Sequence, residues 1–259
     1  MIPKMIHYTW FSGEDMPQLV KDCIASWKRF MPDYEYRLWN LDAIKDIESV
    51  FLKEALAMKK WAYAADFVRL YALYHEGGIY LDTDVMVFRS FDDLLHHQVF
   101  IGKEDAIHEL MVENTRAQLL TAHCTGAEPH SEFIKACLSY YEDRHFIQSP
   151  NAQLPLTLRY NLVMLPYIEA CIARGYGYDW APRNQTIQHC KDGLTIYPSA
   201  YFCGNKSQTS SYCEHFTLGS WRKGDIMPDV HPPSSFKKRL RGLVDRLLLK
   251  LSYVLVKVD

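Results

Sequence analysis

Two aspartates, Asp82 and Asp84, stand out as candidates for binding a metal ion. They are separated by one residue, and they follow the apolar run 79–81. In an extended strand, side chains two residues apart point to the same face, so both carboxylates can meet at one cation. Hard cations such as Mg²⁺ and Mn²⁺ prefer carboxylate and phosphate oxygens, and they stabilise a leaving diphosphate as Lewis acids. The spacing predicts a metal and diphosphate site. The alternative, two solvated loop aspartates, does not require apolar residues on both sides.

A second charged pair, Asp66 and Arg69, interrupts an apolar, alanine-rich stretch. Residues three apart share one face of a helix, and a charged side chain in a buried helix needs a partner. Two interpretations stay open. The pair is a structural salt bridge, or it binds the hydroxyl groups of a sugar beside Asp82 and Asp84. The turn at Gly77 and Gly78 allows the following strand to return beside this helix.

The elements predicted around these residues alternate between strand and helix. Hydrophobic spacing predicts strands at 5–11, 34–39, 79–81 continued by 85–88, and 194–197. It predicts helices at 19–30, 41–59, 131–144 and 162–174, and a buried helix from 61 that ends at the glycines 77 and 78. The segment 106–180 is predicted to be mostly helical, and 201–221 to be a loop. This alternation predicts an α/β fold with some parallel pairing.

The sequence around these residues resembles a known family. Segments 64–69 and 74–84 closely resemble the signature of the DXD sugar-binding-region glycosyltransferases, which include bacterial capsular polysaccharide transferases and yeast outer-chain mannosyltransferases. Segments 2–11 and 26–36 resemble the family's first two strands, and 215–221 resembles its closing His-x-x-x-Gly-Ser-Trp element. The matches follow the expected order over residues 2–221, which is more specific than any one of them.

The resemblance implies a GT-A type fold, with a mixed central sheet flanked by helices in one nucleotide-sugar-binding domain at residues 1–233. It implies Mn²⁺ or Mg²⁺ as cofactor, held by Asp82, Asp84 and His215. It implies catalytic roles for Asp66, Arg69, Asp82 and Asp84. The residues that it implies for donor binding are Thr9, Trp10, Tyr36, Asp66, Arg69, Asp82, Thr83, Ser220 and Trp221.

The activity implied is retaining transfer of a hexosyl unit from a nucleotide sugar, with a UDP-hexose as the expected donor and GDP-mannose as the alternative. The expected acceptor is a glycan or lipid-linked saccharide in capsular or surface polysaccharide synthesis. Our hypothesis for the chemistry is a front-face substitution, in which the leaving diphosphate accepts the proton of the incoming hydroxyl. This mechanism needs no carboxylate nucleophile, and most of its rate comes from pre-placed charge.

The sequence departs from the family pattern in two places. His123, within 121–129, stands where the family usually has an asparagine-containing and more apolar stretch. The threonine-glycine-proline segment of many relatives is missing, and 157–161 lies near its place. Acceptor contacts are therefore not carried over.

Two other functions remain as alternatives. Phosphatases of the haloacid dehalogenase type also begin with Asp-x-Asp after a strand. Their motif, however, has Thr or Val at the position where this chain has Met86. In those phosphatases the motif lies near the start of the chain, whereas here it begins at Asp82. A non-catalytic nucleotide-sugar-binding protein, derived from a transferase, is the second alternative. The intact Asp66, Arg69, Asp82 and Asp84 argue against loss of activity.

Bulk properties restrict the function class and the compartment. The 259 residues are 48% hydrophobic, and the formal charge of −2 gives no basic excess to suggest nucleic acid. Seven cysteines without a CxxC pair or zinc-ligand spacing indicate reduced thiols in a cytoplasmic setting. The N-terminus has no apolar core typical of a signal peptide, and no apolar run is long enough to predict a transmembrane helix.

The tail, residues 234–259, is predicted to be a basic amphipathic helix. Its segment 236–256 places leucines and valines on one stripe and lysines and arginines largely elsewhere. Such a helix binds an anionic membrane surface or packs on its own domain, and both interpretations stay open. The first would give peripheral contact with the inner, cytoplasmic face of the membrane.

Overall fold

The computed structural model describes residues 1–105, 110–112, 115–204 and 209–217. In chain order the strands are β1 (Met5–Thr9), β2 (Glu35–Trp39), β3 (Gly78–Leu81), β4 (Val85–Val87), β5 (Val99–Lys103), β6 (Leu110–Val112), β7 (Thr115–Ala117), β8 (Leu120–Ala127), β9 (Gln188–His189), β10 (Leu194–Tyr197) and β11 (Cys213–His215). The α-helices are α1 (Gln18–Phe30), α2 (Val50–Ala57), α3 (Trp61–Glu76), α4 (Glu132–Ser139), α5 (Leu156–Arg159), α6 (Leu165–Gly175) and α7 (Ser199–Phe202). Short 3₁₀ turns lie at Asp92–Leu94 and Lys191–Gly193.

A mixed sheet forms the centre of the fold. Within the described residues it has seven strands in the order β2-β1-β3-β8-β5-β10-β9. β1 is parallel to both β2 and β3, and β5 is parallel to β10, whereas β8 is antiparallel to its neighbours β3 and β5. β4 pairs with β11, and β6 pairs with β7, in two small separate sheets.

Helices cover both faces of this sheet. Successive residues of β3 pack into different hydrophobic clusters, as the two-residue period of a strand requires. Tyr80 joins the cluster that contains Leu70 of α3 and Ile168 of α6. Ile79 and Leu81 join the other cluster, with side chains of α1 and α7. Among the described residues, no helix has the length and apolar character needed to cross a membrane.

The predicted fold class is confirmed: the domain is α/β, with a mixed central sheet flanked by helices. The predicted C-terminal helix lies outside the described residues. The boundary between residues 233 and 234 therefore stays a prediction.

Two predicted helical segments were wrong. The helix predicted at 41–59 begins only at α2, because the Asn40 side chain accepts from the backbone of Ala43 in a turn and Ser49 caps the helix start. The segment 106–180 was predicted to be mostly helical, but it contains β8, whose eight residues lie between β3 and β5. Every described side chain of β8 is buried, so it lacks the apolar–polar alternation from which strands are predicted.

Helix α1 fixes the strand that follows the two aspartates. The buried indole of Trp27 donates to the backbone carbonyl of Val85 at 2.7 Å, and the backbone N–H of Val87 donates to Ser26 at 2.9 Å. Trp27 is also wholly buried, with the ring of Tyr8 edge-on at 5.5 Å. β4 is therefore held at both ends by adjacent side chains of one helix.

Replacing Trp27 with Phe should lower the free energy of unfolding by about 1–3 kcal/mol from the lost hydrogen bond alone, because a buried carbonyl loses its donor. Chemical denaturation measures this change. Trp61→Phe, at a half-buried tryptophan that begins α3, is the control and should cost less. An equal effect of the two substitutions would contradict an anchoring role for the Trp27 indole.

Candidate functional site

Asp82 and Asp84 lie at the carboxyl end of β3, in a turn between two sheets. The backbone N–H of Val85 donates to the carbonyl of Asp82 at 3.0 Å, and β4 then leaves the central sheet to pair with β11. The sequence prediction of extended structure after the two aspartates is confirmed for Val85–Val87, but the prediction that it continues the strand 79–81 was wrong. The turn, and not the strand pleat, brings the two carboxylates together.

The structure brings Asp82, Asp84 and His215 into one group. One ligand atom from each lies within 4.8 Å of the others, and no further group of this kind occurs in the part of the chain that the structure describes. The Nε2 atom of His215 is 3.2 Å from Oδ1 of Asp84. β11 carries His215 opposite Val85, and the N–H of Phe216 donates to the carbonyl of Asp84 at 3.1 Å.

This donor set fits a divalent cation. Two carboxylates and one imidazole suit Mn²⁺ or a similar metal, and all three side chains are partly exposed, at 26%, 14% and 22%. A diphosphate can therefore reach a metal held there from solvent. The metal role of the three residues stays a prediction, now with a matching geometry.

Arg69 joins helix α3 to this group. Its Nη2 atom lies 3.1 Å from Oδ1 of Asp82 and 3.2 Å from Oδ1 of Asp66. Its Nη1 atom donates to the carbonyl of Ala122 in β8, and its guanidinium lies 4.5 Å from the ring centroid of Tyr80. The salt bridge and the proximity to Asp82 thus occur together, so the two interpretations left open for Asp66 and Arg69 are compatible.

Burial sets the electrostatics of this pair. Burial raises the pKa of Asp66 to about 6, although the positive charge of Arg69 opposes the rise. Burial alone would lower the pKa of Arg69, but the charge of Asp82 and other anionic neighbours raises it above its usual range. The Oδ2 atom of Asp66 also accepts from the N–H of Leu165, at the start of α6, at 3.2 Å. A fixed positive charge therefore stands behind Asp82.

The other predicted donor-binding residues that the structure describes divide into three groups. Thr9 reaches the site through Tyr80, because its hydroxyl is 3.1 Å from the Tyr80 hydroxyl. Thr83 lies in the turn itself, between the two aspartates. Trp10 and Tyr36 make contacts elsewhere: the Trp10 indole donates to the carbonyl of Glu14, and the Tyr36 hydroxyl donates to that of Met31.

Ser220 and Trp221 lie outside the described residues. The roles of these two, and of Thr9, Thr83, Trp10 and Tyr36, stay predictions.

Sequence reasoning missed Glu169. Its side chain is buried on α6, one turn after Leu165, and neither carboxylate oxygen has a hydrogen-bond partner among the described residues. Burial raises its pKa to about 8, against the opposing charge of Arg69. A signal was present in the sequence, since Glu169 falls among apolar residues such as Ile168 and Ile172 on a predicted helix.

Comparison with known proteins finds a family match that includes Asp82 and Asp84. Residues 17–101 match the family model described as the glycosyltransferase sugar-binding region containing DXD motif. The matched region contains Asp66, Arg69, Asp82 and Asp84. Inositol phosphoceramide mannosyltransferase 3 of Schizosaccharomyces pombe is 37% identical to it over 109 residues, which are 39% of this chain and 30% of that protein. Mannosyl phosphorylinositol ceramide synthase SUR1 of Saccharomyces cerevisiae is 35% identical over 154 residues, 57% of this chain and 37% of that protein.

The chain thus spans about a third of the length of these curated relatives. Among solved structures, the PaToxG glycosyltransferase resembles this chain with a TM-score of 0.44 and 20% identity, over 67% of this chain and 69% of that one.

Glu169→Gln should stabilise the protein in a pH-dependent way. The folded-state pKa lies above the usual value of 4.5, so the wild type loses stability as pH rises from about 4.5 to about 8 and no further above that. The variant has no such loss, so its advantage should be small at pH 5 and largest at pH 9. Urea denaturation across this range measures it. Glu35→Gln, at an exposed carboxyl, is the control, and an advantage of Glu169→Gln that shrinks with rising pH would contradict the burial effect.

Proposed function

We propose that this chain is a metal-dependent, retaining glycosyltransferase that moves a hexosyl unit from a nucleotide sugar to a hydroxyl of a glycan or glycolipid. The observation that carries the proposal is the convergence of Asp82, Asp84 and His215, with Arg69 bonded to Asp82 from behind. This arrangement suits a diphosphate bound through a cation, and its residues Arg69, Asp82 and Asp84 lie within the region that the family model matches.

The relatives' names favour one hexose and one acceptor class. Both curated relatives are named for mannosyl transfer to an inositol-containing ceramide lipid. We therefore propose to test GDP-mannose, the alternative donor from the sequence analysis, alongside the UDP-hexoses, and a lipid-linked acceptor alongside surface polysaccharides. The cytoplasmic location, with peripheral membrane contact through 236–256, remains part of the same proposal.

In this proposal the residues act mainly through position and charge. Asp82, Asp84 and His215 would hold Mn²⁺ or Mg²⁺, which when bound supplies Lewis-acid stabilisation to the departing diphosphate. Arg69 places a permanent positive charge beside Asp82 in a buried setting, where such charge is effective without reorganisation. Asp66 holds the Arg69 guanidinium and offers its carboxylate to sugar hydroxyls.

The transfer itself follows the front-face course. The bond from the anomeric carbon to the diphosphate oxygen breaks, and a bond to the acceptor oxygen forms on the same face. The acceptor proton passes to the leaving diphosphate. Asp82 is already bonded to Arg69, an arrangement that suits a positioning carboxylate better than the nucleophile of a phosphatase.

Purified protein with Mn²⁺ should release UDP or GDP slowly from one member of a nucleotide-sugar panel. Chelation, Asp82→Asn and Asp84→Asn should each abolish the release, because the diphosphate loses its metal. Asp46→Asn, at an exposed aspartate, is the control and should leave release unchanged. Binding of a donor without release, even when acceptor lipids are added, would favour the non-catalytic alternative. A covalent phosphate on Asp82 would favour the phosphatase.

Arg69→Lys should lower the rate of donor cleavage by about 10²–10³-fold, because an ammonium group cannot contact Asp66, Asp82 and the Ala122 carbonyl together. Steady-state release of nucleotide, with circular dichroism to verify folding, measures the effect. Arg89→Lys, at an exposed pair with Asp93, should have little effect. A folded Arg69→Lys protein with wild-type turnover would exclude Arg69 from the catalytic group.

A further inference from the structure

His123 contacts two members of the candidate metal group, Asp82 and His215, although it contributes no ligand atom to the group. Its backbone carbonyl accepts from the N–H of Asp82 at 2.9 Å. Its imidazole lies against that of His215, with ring centroids 4.3 Å apart and the planes tilted by 32°. One residue of β8 therefore touches the first aspartate through the backbone and the histidine through the side chain.

The His123 ring is itself rigidly held. The side chain is 2% exposed, and its Nε2 atom is 3.1 Å from the carbonyl of Phe202, so this nitrogen carries the proton and donates. Its Nδ1 atom is 3.7 Å from Oε1 of Glu104, too far for a hydrogen bond. The two nitrogens thus face Phe202 and Glu104, and the ring packs against that of His215.

The His215 side chain needs a neighbour to fix its orientation. It ends β11, a strand of three residues, and its side chain is 22% exposed. Pairing with β4 fixes its backbone, but a partly exposed side chain retains rotamer freedom unless a neighbour restricts it. Asp84 contacts the edge of the ring, at Nε2. The His123 ring lies against it, with the centroids 4.3 Å apart.

We propose that His123 is a positioning residue, which holds the His215 imidazole in the orientation needed to bind the metal together with Asp84. The inference rests on the proposed metal role of Asp82, Asp84 and His215. It also gives a reason for His123 at a position where the resembled family usually has an asparagine-containing and more apolar stretch. Groups that orient a metal ligand influence metal affinity by about 10–100-fold when they are removed.

Two substitutions separate the ring contact from general packing. His123→Phe keeps a flat ring against His215, and His123→Leu fills much of the space without one. Both lose the hydrogen bond to Phe202 equally. Thr125→Val is the matched control, because Thr125 is also buried in β8, two residues after His123, and its hydroxyl donates to the carbonyl of Thr121. Mn²⁺ affinity without nucleotide, measured by the loss of the free-ion electron paramagnetic resonance signal, is the readout, alongside urea denaturation.

We expect His123→Phe and Thr125→Val to bind Mn²⁺ within about threefold of the wild type, and His123→Leu to bind at least tenfold more weakly at similar stability. Equal affinity of the Leu and Phe variants, whether high or low, would overturn the role of the ring. A matching loss in Thr125→Val would indicate a general effect on β8 and would also overturn it. If wild-type protein binds no Mn²⁺, the metal-dependent function fails, and this inference fails with it.

A measurement on the wild type does not depend on whether the variants fold. In metal-free protein, the ring protons of His215 should show an upfield ring-current shift from His123 in the nuclear magnetic resonance spectrum. The His215 resonances are assigned with the His215→Gln variant. Random-coil shifts for these protons would contradict the stacked arrangement and overturn the proposal.

Discussion

The rest of the site depends on the contacts that the buried guanidinium of Arg69 makes. It bonds Asp66 on its own helix, Asp82 at the end of β3 and the carbonyl of Ala122 in β8. A buried charge is costly unless it is paired, so these contacts must form together when the domain folds. Helix α3 and two adjacent strands are thereby brought into one arrangement, and the carboxylate of Asp82 is fixed with them.

The mixed sheet explains how distant segments meet at this point. β8 runs antiparallel between β3 and β5, so residues near its start lie beside the carboxyl end of β3. β4 leaves the sheet and is held by Trp27 of α1, and its pairing with β11 brings His215 back from much later in the chain. The candidate metal group therefore combines a local turn with one long-range strand pairing.

The local part of this arrangement could be predicted from the sequence better than the long-range part. Charges that interrupt apolar runs are conspicuous, and they identified Asp66, Arg69, Asp82 and Asp84. Regular hydrophobic patterns predicted α1, β1, β3 and β10. β8 was missed because all its described side chains are buried, so no alternation marks it as a strand. Glu169 and the contact between His123 and His215 depend on packing between elements, which no spacing within one segment encodes.

The central claim is that Asp82, Asp84 and His215 hold a divalent cation that binds the donor diphosphate. X-ray diffraction at a wavelength that excites manganese, from crystals grown with Mn²⁺ and UDP or GDP, tests it most directly. We expect one anomalous peak within bonding distance of Asp84, His215 and the diphosphate oxygens. Nucleotide bound elsewhere, or bound at this turn with no anomalous peak, would contradict it.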